Sequence, residues 1–225
     1  MNRVFIVIPA YNEQQTLSEV IDGIRIAGEY VLVIVDDGSD PPLNSFIQQH
    51  GCHIIRHAVN LGQGAALQTG ISYSLQKGAD IIVSFDADGQ HDPRDIKPLV
   101  SAVLEGKADV VMGSRFAGEA PQMPFTRKVL IHFARIFHFM LTGLWMSDAH
   151  NGIRALSRKA ASKIQLKENR MAHATELILE IKRHSLKWME LPVTVHYSAY
   201  SRKKGQSSAN SIRILFDVVL HKLFR

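Results

Sequence analysis

The sequence predicts an α/β fold with a mostly parallel central sheet flanked by helices, on three observations. Short apolar runs recur through the first half, at Val4–Ile8, Tyr30–Val35, His53–Arg56, Asp80–Phe85 and Asp109–Met112. Segments of helical spacing separate them, which is the pattern of βαβ units. Each run also ends in carboxylates, glycines or an arginine, as the ligand-bearing carboxyl edge of an open α/β sheet does.

The elements follow in order. Val4–Ile8 is too short for a signal peptide and stops at Pro9, so it reads as a first strand. Glu13–Ile26 places Leu17, Val20, Ile21 and Ile24 on one helical face. Pro41–His50 is a helix candidate carrying Leu43, Phe46 and Ile47, and Gly62–Lys77 is a helix stopped by Gly78. Ile81–Phe85 is β-branched and aromatic without polar alternation, as in a strand buried on both faces. Asp92-Pro93 reads as the N-cap and first residue of a helix reaching Glu105.

The second half differs. Pro121-Gln122-Met123-Pro124 is a break, and Phe125–Met146 is rich in Phe, Leu, Ile and Met but holds Arg127, Lys128 and Arg135. A spanning helix needs about 20 mostly apolar residues, and each central Arg or Lys costs roughly 2.5–3.5 kcal/mol on insertion scales. The segment is therefore expected to be an interfacial or core helix. Ser147–Arg154 reads as a polar loop, Met171–His184 as a helix, Leu186–Tyr197 as a strand and Ser198–Ser208 as a basic loop. Ser211–Arg225 has the spacing of an amphipathic basic helix. The expected organisation is one domain over 1–208, with halves 1–116 and 117–208, followed by the helix 209–225.

Of 225 residues, 46% are hydrophobic and 21% charged, an ordinary globular balance. The single Cys52 excludes an intramolecular disulfide. The net charge of +5 hides an asymmetry: residues 1–112 hold 7 Lys+Arg and 14 Asp+Glu, residues 113–225 hold 19 and 7. The acidic half suits a metal; the basic half suits phosphate or an anionic membrane surface.

Asp86-Ala87-Asp88 falls where a sheet ligand belongs. If strand geometry persists through it, the two carboxylates point the same way and repel. A hard divalent cation, Mg²⁺ or Mn²⁺, relieves that, and Gln90 offers a neutral oxygen. A plain Asp/Gly turn is the competing reading. Asp37 and Glu13 are placed to accept hydrogen bonds from a base or ribose. Gly62 and Gly64 would let backbone approach a phosphate or sugar at a helix N-terminus. Arg115 is placed for the phosphates, with Arg202 and Lys203 on a loop able to close over them. Asp36 should point opposite to Asp37 and be structural. Glu13 also has a plain reading as a first-turn residue at the helix dipole. His91 and His173 are read as phosphate contacts or ordinary polar surface. His50, His53 and His57 have poor spacing for zinc. The chain has no G-x-x-x-x-G-K-[ST], and no G-x-G-x-x-G follows the first strand.

Pro9-Ala10-Tyr11-Asn12-Glu13, Val35-Asp36-Asp37-Gly38-Ser39, Asn60-Leu61-Gly62-Gln63-Gly64, Asp86-Ala87-Asp88-Gly89-Gln90 and Gly113-Ser114-Arg115 stand in this order. In order and spacing the set resembles the inverting family-2 glycosyltransferases, the dolichyl- or polyprenyl-phosphate mannose/glucose synthases especially, over roughly residues 3–207. The resemblance implies a GT-A fold, a nucleotide-sugar donor and Mg²⁺ or Mn²⁺. It implies that Pro9, Tyr11, Glu13 and Asp37 hold the nucleoside, with Ala10 and Ala87 in the same donor motifs. Asp86, Asp88 and Gln90 then handle metal and diphosphate. Asp148-Ala149-His150-Asn151-Gly152-Ile153-Arg154 looks like the family's D-x-x-x-G-F-R with Ile153 in place of the aromatic. Glu176 sits where these enzymes carry a helical acid, and Tyr200–Ser207 resembles their R-x-x-G-x-S loop.

The expected reaction is single-displacement hexosyl transfer with inversion. An alcohol acceptor needs a base, for which Asp148 comes first and Glu176 second. A polyprenyl phosphate arrives anionic, and positioning by Arg154 and Arg202 then matters more. The basic half and its two apolar helices favour a lipid phosphate, on a cytoplasmic chain peripheral to the inner face of the membrane. A dimer or a separate membrane-protein partner would explain the same helices. Transfer to a soluble or growing glycan, and a non-catalytic nucleotide-sugar-binding module, are the alternatives. The acidic strand-end edge argues against nucleic acid.

Overall fold

A computed structural model describes residues 2–47, 51–116, 142–170 and 172–196, with positions 129, 132, 133, 135, 136, 139 and 140 between them. Seven strands form one sheet: β1 (Val4–Ala10), β2 (Val31–Asp36), β3 (His53–Arg56), β4 (Ile81–Ser84), β5 (Val110–Ser114), β6 (Arg154–Ser157) and β7 (Trp188–Pro192), in the order β3-β2-β1-β4-β6-β5-β7. The helices are α1 (Leu17–Ala27), α2 (Asn44–Ile47), α3 (Gln63–Gln76), α4 (Ile96–Leu104), α5 (Arg158–Lys163) and α6 (His173–Arg183).

Alternation along the strands builds two cores. Ile6 and Ile8 of β1 face one side with Leu17, Val20, Ile21 and Ile24 of α1 and Leu99 and Val103 of α4. Phe5 and Val7 face the other, with Ala66, Leu67 and Ile71 of α3, Ala160 of α5 and Ile178 and Ile181 of α6. Each Val, Leu, Ile or Phe among them contributes about 1.5–3 kcal/mol by burial. The sheet is thus covered on both faces, and its parallel strands read as unbroken apolar runs.

β6 is the one antiparallel strand in the sheet. It pairs with β4, where Ser84 meets Arg154, and with β5, where Met112 meets Arg154. Because β6 runs backwards, its first residue lies at the same edge as the last residues of β4 and β5. A buried arginine is thereby carried to the carboxyl edge of the sheet.

Three expectations need correction. The helix expected over Pro41–His50 is reduced to Asn44–Ile47 among the described residues, since Asp36 accepts the Ser39 and Leu43 amides at 2.9 and 3.1 Å and holds the preceding stretch as a turn. The helix expected from Pro93 begins as a 3₁₀ turn, Pro93–Asp95, capped by Asp92 accepting from the Arg94 amide, and becomes α4 at Ile96. The loop expected over Ser147–Arg154 ends in β6, a strand of four residues whose sequence, Arg-Ala-Leu-Ser, carries no strand pattern. Val129, His132, Phe133, Arg135, Ile136, Phe139 and Met140 are helical, as expected for that segment. The loop 198–208 and helix 211–225, with Arg202 and Lys203, lie outside the described residues.

Gly70 lies where α3 crosses β1, and a Cβ there would overlap Val7 Cγ1. Alanine normally gains about 1 kcal/mol over glycine inside a helix, but overpacking costs about 1–3 kcal/mol. Gly70→Ala should therefore lower stability by up to about 2 kcal/mol in urea unfolding; a more stable variant would contradict this packing.

Candidate active site

The β1 and β2 ends form the first wall. Pro9 and Ala10 are buried within β1, and the Ala10 carbonyl accepts the Asp37 amide at 2.9 Å. Tyr11 stands at the rim, 45% exposed. The Asn12 side chain accepts the Asp40 amide, and its amide donates to Ser39 Oγ. Thr16 donates to the Ala87 carbonyl at 2.8 Å, tying the buried Glu13 turn to the Asp86–Asp88 turn.

Asp36, the last residue of β2, accepts the Ser39 and Leu43 amides and lies beside Arg56, while Asp37 just beyond it takes a separate set of partners. The structure places Asp37 differently from the expectation of an open acceptor. It is 2% exposed, and it accepts from His57 Nδ1 at 2.7 Å, the Leu61 amide at 3.0 Å and the Gly62 amide at 2.7 Å. His57 Nε2 in turn meets Thr69 Oγ1 of α3 at 3.0 Å. Asp37 thus fixes the loop that starts α3. The room expected for a ligand beside Gly62 and Gly64 is filled by the chain itself. The Asn169 carbonyl accepts the Gly64 and Ala65 amides at 2.8 and 3.3 Å, and a Cβ on Gly64 would overlap the Glu168 carbonyl oxygen. Gly62, at φ +105°, is likewise hemmed in by Asn169.

β4 ends at Ser84, so Asp86 and Asp88 lie in a turn rather than on a strand. Asp86 accepts from Gln63 Nε2 at 3.0 Å and meets His91 Nε2 at 3.2 Å. Gly152 packs against its carboxylate so closely that a Cβ would overlap it. The surrounding protein would raise the Asp86 carboxyl, but His91, Arg154 and His173 outweigh that and hold it below its usual range. Asp88 is the reverse: burial, then the charge of Asp86, raise it to about 6, with Glu13 adding to the repulsion. Its Oδ1 accepts only the Gln90 amide among the bonds of the described residues, at 3.0 Å.

The second wall is cationic. Arg115, just past β5, forks onto Asp148 through Nε and Nη2, both at 2.6 Å, while its amide donates to Asp148 at 3.0 Å. Asn151 Nδ2 adds a bond to Asp148 at 3.2 Å. Burial would raise Asp148, but Arg115 and then Asn151 more than reverse it, so the carboxyl is held ionised. Arg154 is 4% exposed; burial lowers it to about 10, and the charges of Asp86 and Asp148 support it. Its Nη2 donates to the Ala149 carbonyl, whereas its buried Nε has no hydrogen-bond partner among the described residues. Burial pushes His150 and His173 down to about 4, so both are neutral at pH 7. Glu176 accepts the Lys167 and Glu168 amides, both at 2.9 Å, and braces the loop before α6.

Residues 5–165 match the family model described as Glycosyl transferase family 2. The chain belongs to that family. It is similar to an uncharacterized protein of Methanocaldococcus jannaschii, 34% identical over 99% of this chain and 93% of the relative. It is also similar to the UDP-N-acetylglucosamine–dolichyl-phosphate N-acetylglucosaminyltransferase of Methanococcus voltae, 29% identical over 98% and 96%. Among solved structures it is similar to glucosyl-3-phosphoglycerate synthase of Mycobacterium tuberculosis in complex with Mn²⁺, UDP and phosphoglyceric acid. That match has a TM-score of 0.70 and 21% identity, and covers 96% of this chain and 78% of the other. The fold is GT-A, and the chain is a glycosyltransferase.

Of the residues expected in this family 2 site, Glu13, Asp86, Asp88, Asp148 and Arg154 are brought together at one edge, with Arg115 bound to Asp148. Sequence reasoning missed Gln63, His57, Asn151 and Glu190. Gln63 stands inside the Asn60–Gly64 motif and so was within reach. His91 and His173, read as phosphate contacts or ordinary polar surface, are buried, which rules out the surface reading.

The Asp88 carboxyl titrates higher in the folded chain than unfolded, so stability is lost as pH rises from about 4 to about 6; the cost is complete above about 6 and absent well below 4. Asp88→Asn should accordingly raise Tm at pH 8, and the gain should vanish between pH 6 and pH 4. A gain independent of pH in thermal melts would contradict this account of Asp88.

Proposed function

We propose that this family 2 glycosyltransferase moves a hexosyl group from a nucleotide-sugar to a polyprenyl phosphate at a membrane surface, aided by Mg²⁺ or Mn²⁺. The observation that carries the reading is the state of the two base candidates. Asp148 is bound to Arg115 by both oxygens, and Glu176 braces the 167–168 amides. An alcohol acceptor must lose a proton to a base. A phosphate oxygen arrives ionised and needs no base, so the engagement of both candidates favours a lipid phosphate.

The donor set suits the cation. Mg²⁺ is commonly held by one or two carboxylates together with substrate phosphates, and Asp88 carries under-neutralised charge beside Asp86. Asp88, with Asp86 and Gln90 beside it, would hold the ion. The ion would neutralise the diphosphate as it leaves. Gln63 and His91 hold Asp86 in place. Tyr11 offers its ring to the base, with Glu13 and Asp37 behind it. Arg115, expected at the donor phosphates, is assigned in this proposal to the incoming anion instead, because its fork onto Asp148 joins it to the wall that holds Arg154. Arg154 sets the positive potential of that wall. In this proposal Arg202 and Lys203 close over the phosphates.

Two facts support the lipid acceptor. The relative from Methanococcus voltae is named for a dolichyl-phosphate acceptor and aligns along nearly the whole chain. Of the helical residues described between 129 and 140, Phe133 is 65% and Met140 71% exposed, and the Arg135 guanidinium lies over the Trp145 ring at 4.7 Å. An exposed apolar face with cations beside it suits an anionic interface. No described helix is long and apolar enough to cross a membrane.

Purified protein supplied with UDP- and GDP-sugars, Mn²⁺ or Mg²⁺ and a short polyprenyl phosphate should form a sugar-linked lipid phosphate. Asp88→Ala should reduce the rate at least about 100-fold. Transfer only to a hydroxyl-bearing glycan would overturn the acceptor assignment, and metal-independent transfer would overturn the role of Asp88.

A further inference from the structure

We propose that Glu190 is a positioning residue that sets the Arg115–Asp148 pair, and through it the acceptor side of the site; this rests on the transferase reading above. Glu190 lies on β7, opposite Met112 of β5 and away from the Asp86–Asp88 turn. Its carboxylate receives the Ser147 amide on both oxygens at 2.9 Å, the Ser147 hydroxyl at 2.9 Å and the Asp148 amide at 3.0 Å. One side chain thus gathers the backbone at the start of the 147–153 loop.

The hydrogen bonds that lead to Glu190 have a single direction. Ser147 donates its hydroxyl proton to Glu190, so it accepts from Ser114 Oγ. Ser114 Oγ, having given its proton, accepts the Phe116 amide. Phe116 and Ser114 flank Arg115. Glu190 therefore acts on the pair from both ends: it seats the Asp148 backbone directly and orders the residues on either side of Arg115 through two hydroxyls. Oε1 takes three of these bonds and Oε2 shares the Ser147 amide. A glutamine that keeps its oxygen at Oε1 turns an N–H toward the Ser147 amide, donor against donor, and loosens the Ser147–Asp148 backbone.

Asp109 supplies the control. At the opposite end of the β5–β7 pair its carboxylate accepts the Lys187 amide at 3.0 Å, a tie of the same kind remote from Asp148. In the transfer assay, Glu190→Gln should raise the acceptor KM at least about fivefold while the donor KM stays within about twofold. Asp109→Asn should lower Tm and shift neither constant. Donor and acceptor constants moving together in Glu190→Gln, or a profile like that of Asp109→Asn, would overturn the proposal. Amide hydrogen exchange gives a readout independent of turnover. In Glu190→Gln the Arg115 and Asp148 amides should exchange at least roughly tenfold faster while Gly62 and Gly64 are unchanged; uniform change or none would overturn it. A wild-type protein that binds nucleotide but transfers nothing to lipid phosphate would instead locate the failure in the acceptor assignment, with the exchange result still deciding the role of Glu190.

Discussion

The structure depends on one buried cation. Arg154 is almost wholly removed from solvent, and its charge is balanced across the sheet edge by Asp86 on one side and Asp148 on the other. An isolated ion in such a place is untenable; removing one partner of a buried charge set typically costs about 3–5 kcal/mol. The two carboxylates that organise the donor and acceptor sides thus share the charge of one buried arginine. Asp148 in turn holds Arg115, so two anions and two cations alternate along the edge. Asp88 stands just outside this balanced row with its charge uncompensated, which is why its carboxyl is pushed up and why a divalent ion suits it.

The backbone makes that arrangement possible. Insertion of the reversed β6 between β4 and β5 places Arg154 beside the ends of two strands that run the other way. Gly152, two residues earlier, leaves space for the Asp86 carboxylate that any side chain would take. From the far side, the 168–170 segment lies on the start of α3, and Asp37 and His57 fix the loop beneath it. The continuation of β7 closes the other flank, with the His196 amide donating to the Gln90 carbonyl and a bridge between His91 and Val195. The site is thus assembled from segments far apart in sequence, each anchored by backbone hydrogen bonds.

Much of this was legible in the sequence because it is local. Apolar runs with helical segments between them gave the parallel strands, and Asp92-Pro93 gave the cap before α4. The carboxyl-edge placement of Asp86, Asp88 and Arg115 followed from strand ends alone. What escaped is long-range. β6 has four residues and no apolar alternation, so its pairing with two distant strands decides its state. Gly62 and Gly64 were marked for approach to a phosphate or sugar, whereas the neighbour that the fold brings to them is residues 168–170, over 100 positions away. The bond between Asp148 and Arg115, and the contacts of Glu190, join residues separated by 33 and by 42 or 43 positions. No periodicity encodes such pairs. Asp37 illustrates the same limit: a carboxylate at a strand end is a ligand candidate until the loop that fills its lone pairs is known.

The central claim is that Arg154 and Asp86 stabilise one another as parts of a single charge set. A double-mutant cycle in urea unfolding tests it most directly, with Arg154→Met, Asp86→Asn and the two combined. The account predicts that Arg154→Met alone costs about 3–5 kcal/mol. It predicts that the pair is non-additive by more than about 1 kcal/mol, the second substitution relieving the charge that the first leaves bare. Additivity to within about 0.5 kcal/mol would mean that the two residues do not sense each other, and would contradict the account.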